Sequence, residues 1–175
     1  MRLMLLRHAK SEKAEPDVQD HARALNARGR NDAAKLGAYL ARHALVPDRV
    51  LVSTARRTRE TWESVAAALT STPAVKFDER LYNSSADGIL ASIKETEGPG
   101  STLLVIGHNP GMHDIAMNLV ASGDVETRER LSEGLPTSGL VVIDFSGRQW
   151  SKVHAQGGRL ERFVTPRSLA AGGPA

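Results

Sequence analysis

The sequence has no cysteine and few aromatic residues, with two tryptophans, two tyrosines and three phenylalanines among 175 residues. The first absence excludes disulfides, thiolate nucleophiles and thiolate metal sites. Long apolar runs are missing as well. Leu3–Leu6 is far too short for a signal-peptide core or a membrane span, and no later run comes close. The expectation is a cytoplasmic chain with no membrane partner. Neither sign of charge dominates: 23 basic against 20 acidic residues leave a formal +3. Arginines gather at residues 23–30 and 56–59, but no aromatic residues interleave with them as in a nucleic-acid platform. Nucleic acid is therefore not an expected partner.

What is present is ordinary for a globular domain, at 41% apolar and 25% charged residues. Apolar runs of strand length alternate with helical stretches. Leu3–Leu6, Val50–Val52, Val75–Phe77 and Leu103–Ile106 read as strands. Helical register predicts helices over 31–44, 55–69 and 86–95, and another opened by Pro110 and running to Ala121. Leu140–Phe145 and Trp150–Val153 around Ser146-Gly147 read as a hairpin. This alternation implies an α/β fold with a largely parallel sheet, made mixed by the hairpin. One domain over residues 1–168 and a disordered tail over 169–175 are expected.

Ligands of open α/β sheets bind beyond the carboxyl ends of the strands. Three strands here end in polar groups at that place. The first ends in Arg7-His8, the second in Ser53 before Arg56-Arg57, and the fourth in Gly107-His108-Asn109. Guanidinium groups grip phosphate oxygens, a neutral imidazole can attack phosphorus, and a protonated one can donate to a phosphoryl oxygen. The set suits phosphoryl transfer. A metal site is not expected, because no carboxylate accompanies the histidines at ligand spacing and the arginines would repel a cation. His113 reads as structural or at the pocket rim. His21, His43 and His154 belong to no constellation, and Trp62 and Trp150 read as core.

The segments "LLRHAKSE", "DHARALNARGR", "LVSTARRTRET" and "LLVIGHNPGMHDIA" together resemble the histidine phosphatase superfamily, and within it the SixA-type phosphohistidine phosphatase branch. The resemblance implies a three-layer α/β/α sandwich with a mostly parallel, mixed central sheet, like that of phosphoglycerate mutase. It implies a phosphatase that needs no cofactor and works through a phosphohistidine enzyme intermediate. The catalytic set would be His8 as nucleophile, with His108, Arg7 and Arg57; Asn109 and Ser53 would join Arg7 and Arg57 in holding phosphate. Thr61 closes the second motif, and Arg23 and Arg28-Gly29 match a stretch of this branch read as helix entry. Ala9 stands where the superfamily usually has glycine, and Thr54 where proline is common. Asp78 and Glu79 lie where many relatives carry a general acid, in a context that does not fit that pattern. A missing acid favours phosphohistidine over an unactivated ester, because imidazole is the better leaving group. The expected partner is a phosphorylated protein, with a small phosphorylated molecule or a non-catalytic phosphoprotein-binding role as alternatives.

Overall fold

A computed structural model describes residues 1–171. The chain opens with strand β1 (Arg2–Arg7) and helix α1 (Ala27–Arg42), then β2 (Arg49–Ser53), α2 (Arg56–Ala66), β3 (Ala74–Asp78), α3 (Ala86–Lys94), β4 (Thr102–Gly107) and α4 (Gly111–Leu119). It ends with β5 (Val120–Gly123), α5 (Val125–Ser132), β6 (Leu140–Asp144), β7 (Gly158–Val164) and α6 (Pro166–Ala170). The seven strands form one sheet in the order β3-β2-β4-β1-β6-β7-β5. The four on the β3 side are parallel, and β6 is antiparallel to both its neighbours.

Side chains alternate across a strand, and a sheet covered on both faces needs both sets apolar. Strand β1 meets this with Leu3 and Leu5 on one face and Met4 and Leu6 on the other, all fully buried. Leu3 and Leu5 join Leu103 and Val105 of β4 under Ile89 and Ile93 of α3 and Ile115 and Leu119 of α4. Met4 and Leu6 join Leu104 and Ile106 under Leu36 and Leu40 of α1 and Trp62 and Val65 of α2. The three-layer sandwich follows directly, and both tryptophans lie in the core.

This winding creates the crevice. After β1 the chain crosses to one face of the sheet, and after the adjacent β4 it crosses to the other. The two connections part at the carboxyl ends of β1 and β4, the place where α/β sheets bind ligands. Arg7 pairs with Gly107 in register, and the His8 amide donates to the Gly107 carbonyl at 3.0 Å. His8 and His108, about a hundred residues apart in sequence, therefore leave the sheet side by side.

Three expectations need correction. Trp150–Lys152 is a 3-10 turn rather than a strand, and the antiparallel partner of β6 is β7. Trp150 and Val153 are both buried at a spacing of three, the repeat of a 3-10 helix and not of a strand. Helix α4 stops at Leu119, and Ala121 lies in β5. Leu169 and Ala170, assigned to the tail, form the last turn of α6; residues 172–175 lie outside the described residues.

Candidate active site

The orientation of the His8 ring is fixed by one backbone contact. His8 Nδ1 lies 2.7 Å from the Ala9 carbonyl oxygen, which can only accept. The ring proton therefore sits on Nδ1, and Nε2 carries a free lone pair. Burial, with Arg57, Arg7 and Arg23 as neighbouring cations, pushes the His8 pKa down to about 4. At neutral pH the ring is uncharged. The Ala9 amide donates in turn to Thr61 Oγ1 at 3.0 Å, and Thr61 donates to the Arg57 carbonyl. This ties the turn after β1 to α2, and it gives the threonine that closes "STARRTRET" a structural purpose.

His108 stands 5.1 Å from His8, ring centroid to ring centroid. Arg57 Nη2 donates to its Nδ1 at 3.2 Å; a guanidinium only donates, so the imidazole proton is on Nε2 and is given to Ser53 Oγ at 2.8 Å. Burial first, then His8 and Arg57, holds the His108 pKa down to about 3. The second imidazole is thus neutral here, not the cation expected from the sequence. Ser53 is fully buried and orients His108; it is placed neither to cap α2, whose N-cap is Ala55, nor to face a ligand.

Arg57 is almost entirely buried, and its guanidinium is shared. Nη1 donates to the Asp20 backbone carbonyl at 2.7 Å and Nη2 to the Asp20 carboxylate at 3.0 Å. Tyr82 donates to the same carboxylate oxygen at 2.7 Å, and Arg23 takes the other oxygen at 2.6 Å. These donors, Tyr82 above all, hold the Asp20 carboxyl far below its usual range. His21 packs edge-on against Tyr82, which packs edge-on against His108. Asp20, His21 and Tyr82 form a wall that the sequence reading missed. The only available signal was the motif "DHARALNARGR" itself, where Arg23 binds Asp20 instead of serving helix entry.

Arg7 leaves the same strand end as His8. One of its N–H groups holds the Leu135 carbonyl at 2.9 Å, and Asn109 Nδ2 holds that carbonyl too, also at 2.9 Å. One of the two N–H groups of the Asn109 amide is used there, so Asn109 helps to build the platform of Arg7. Two buried guanidinium nitrogens, Nε of Arg7 and Nε of Arg57, have no acceptor. Buried N–H groups are rarely left so.

Asp78 is bound in a fork by Arg80, which holds its carboxyl down to about 2, and Lys76 lies 3.5 Å away. It carries no proton to give at neutral pH. Glu79 is exposed on the 3-10 turn that Asp78 caps. His113 donates to the Leu131 carbonyl at 2.9 Å, joining α4 to α5.

Comparison with known proteins adds an independent finding. The family model of the histidine phosphatase superfamily (branch 1) matches residues 3–97. The uncharacterized protein Rv1276c of Mycobacterium tuberculosis is 36% identical over 165 residues, covering 93% of this chain and all of that one. A crystal structure from Agrobacterium tumefaciens, titled as a candidate phosphohistidine phosphatase SixA, is 31% identical with a TM-score of 0.79, covering 94% of this chain and 97% of its own. A similarly titled protein of Nakamurella multipartitia is 28% identical with a TM-score of 0.77, at 94% and 95% coverage.

Proposed function

Because the chain belongs to the histidine phosphatase superfamily, we propose that its phosphatase activity runs through a phosphoryl group carried on His8, and that the substrate is phosphohistidine on a protein. The observation that carries this is the Ala9 carbonyl contact, which leaves Nε2 of a neutral, buried imidazole as a lone pair beside Arg57 and His108. Nη2 of Arg7 takes no hydrogen bond among the described residues and is a donor that a phosphoryl oxygen would satisfy.

The first step forms a bond from His8 Nε2 to phosphorus as the P–N bond of the substrate breaks. A substrate ring protonated on its other nitrogen leaves as neutral imidazole and needs no acid from the enzyme. Water then attacks the phosphorus of phospho-His8, its proton passes to the departing phosphate, and Nε2 recovers its lone pair. Charge builds on the equatorial oxygens in both steps, and Arg7 and Arg57 oppose it. A phosphoryl dianion between the rings also supplies the negative charge that favours a protonated His108, whose Nδ1 proton replaces the Arg57 donor at that nitrogen and turns to a phosphoryl oxygen.

Two features support phosphohistidine over an ester. An alkoxide needs a proton in order to leave, and both carboxylates near the strand ends, Asp20 and Asp78, are held ionised by their partners. The crevice at Arg7 also opens into a broad depression with room for a short peptide segment. The test compares phosphate release from a phosphohistidine-bearing protein and from simple phosphate esters, with the wild type and His108→Ala. Phosphohistidine is expected to turn over faster, and the variant to lose most of the rate. An ester preference would overturn the substrate, and a fully active His108→Ala would overturn the site.

A further inference from the structure

A depression of about 1090 Å³ adjoins the site and shares Arg7 and Asn109 with it. It runs from the carboxyl end of β1 between the first turn of α1, the Gly134–Thr137 loop after α5, and α6. Four guanidinium groups line it, those of Arg7, Arg28, Arg130 and Arg167, against the carboxylates of Glu126 and Glu133.

Some arginines of the molecule take close carboxylates, Arg2 with Asp144 at 2.6 Å and Arg56 with Glu60 at 2.6 Å; others hold backbone carbonyls, as Arg49 does with Pro99 and Arg59 with Thr54. Among the described residues, Arg130 and Arg167 have no carboxylate within ion-pair distance, although Glu126 and Glu133 share the groove. Arg130 lies over the Phe163 ring instead, 5.6 Å from its centroid. Arg28 is largely exposed and holds Asp32 only at 3.6 Å. The arginine that the sequence set apart in "NARGR" thus lines the groove, with only the long contact to Asp32 within the fold.

The groove exceeds the volume of ~300–1,000 Å³ that usually encloses a small ligand, and its net charge is positive. Its inner end is the phosphate-binding corner. A protein segment whose side chain reaches His8 past Arg7 would lay flanking residues over this groove. We propose that the groove docks an acidic segment beside the phosphorylated histidine of a protein substrate, with Arg28, Arg130 and Arg167 receiving its carboxylates. This rests on the reading of the site given above and adds the chemistry of the partner. The three arginines determine specificity and stay away from the reacting atoms.

The test uses two phosphohistidine peptides, one flanked by Asp and Glu and one by Ser and Gln, with an aryl phosphate too small to reach the groove. The enzymes are the wild type and the double variant Arg28→Glu with Arg167→Glu, both exposed positions. The variant is expected to lose roughly tenfold in kcat/KM on the acidic peptide, mostly through KM. Its rates on the neutral peptide and the aryl phosphate stay within about twofold, as for residues that touch only the flank. Raising salt should weaken the wild type on the acidic peptide alone. Equal effects on both peptides, or none on either, would overturn the proposal.

Direct binding separates this failure from failure of the substrate reading. Fluorescence anisotropy with the unphosphorylated acidic peptide reads the groove even where no peptide turns over. Binding lost in the variant supports the groove independently of catalysis, and binding unchanged by the variant refutes it. An RNA oligonucleotide bound more tightly than the acidic peptide would also refute an acidic protein partner.

Discussion

A histidine buried uncharged should make the fold acid-sensitive, and His8→Gln isolates its share. The unfolded chain titrates this histidine near 6.5 and the folded protein near 4. Between these values the unfolded state binds more protons, so stability falls as pH drops through that window and levels off below about 4. The gap corresponds to about 3 kcal/mol, since each tenfold ratio is worth about 1.4 kcal/mol. Asp20 and Asp78 also lose stabilising partners toward acid, which is why the comparison with the variant matters. Urea denaturation followed through the buried Trp62 and Trp150 at pH 7, 5.5 and 4 gives the two curves. The wild type should lose about 3 kcal/mol more than His8→Gln between pH 7 and pH 4. Relief of His108, whose pKa His8 helps to lower, acts in the same direction. Parallel curves would refute the burial of an uncharged His8.

Ser53→Ala leaves the buried His108 Nε2–H without its acceptor, which should cost about 1–3 kcal/mol in urea denaturation and, with the ring no longer held, lower kcat roughly tenfold. Gly29→Ala places a Cβ 2.0 Å from the Lys10 carbonyl oxygen, a backbone clash that should destabilise the fold by more than about 2 kcal/mol in the same urea assay. Binding of sulfate, a tetrahedral dianion, should take up a fraction of a proton at pH 5.5, because the His108 pKa of about 3 rises by ~1–3 beside an opposite charge. Calorimetry in two buffers of different ionisation enthalpy reads this, and identical heats would contradict it.

The core of the fold and the meeting of Arg7, His8, Ser53 and His108 at one crevice were legible for a common reason. Strands β1, β2 and β4 are continuous apolar runs that end in polar residues, and strand ends at a crossover are where such residues meet. The carboxyl-terminal part was less legible. In β7 the register shifts opposite Val142 and Ile143, so Leu160 and Phe163 fall out of alternation and no strand pattern remains. Strand β5 is four residues with only Val120 buried, too short to carry a period. At the site, single contacts decided what residue types could not. Asn109 and Ser53 were expected to hold phosphate; one Asn109 N–H goes to Leu135, and Ser53 Oγ accepts from His108. The wall of Asp20, His21 and Tyr82 joins segments sixty residues apart through hydrogen bonds and ring packing, which leave no periodic trace in the sequence.

The most direct test of the account is to trap the enzyme during turnover and locate the phosphoryl group. Rapid quenching at alkaline pH, followed by peptide mass spectrometry, should find an acid-labile phosphoryl group on His8 in the wild type and none in His8→Ala. A phosphoryl group on any other residue, or a His8→Ala variant that turns over at the wild-type rate, would contradict it.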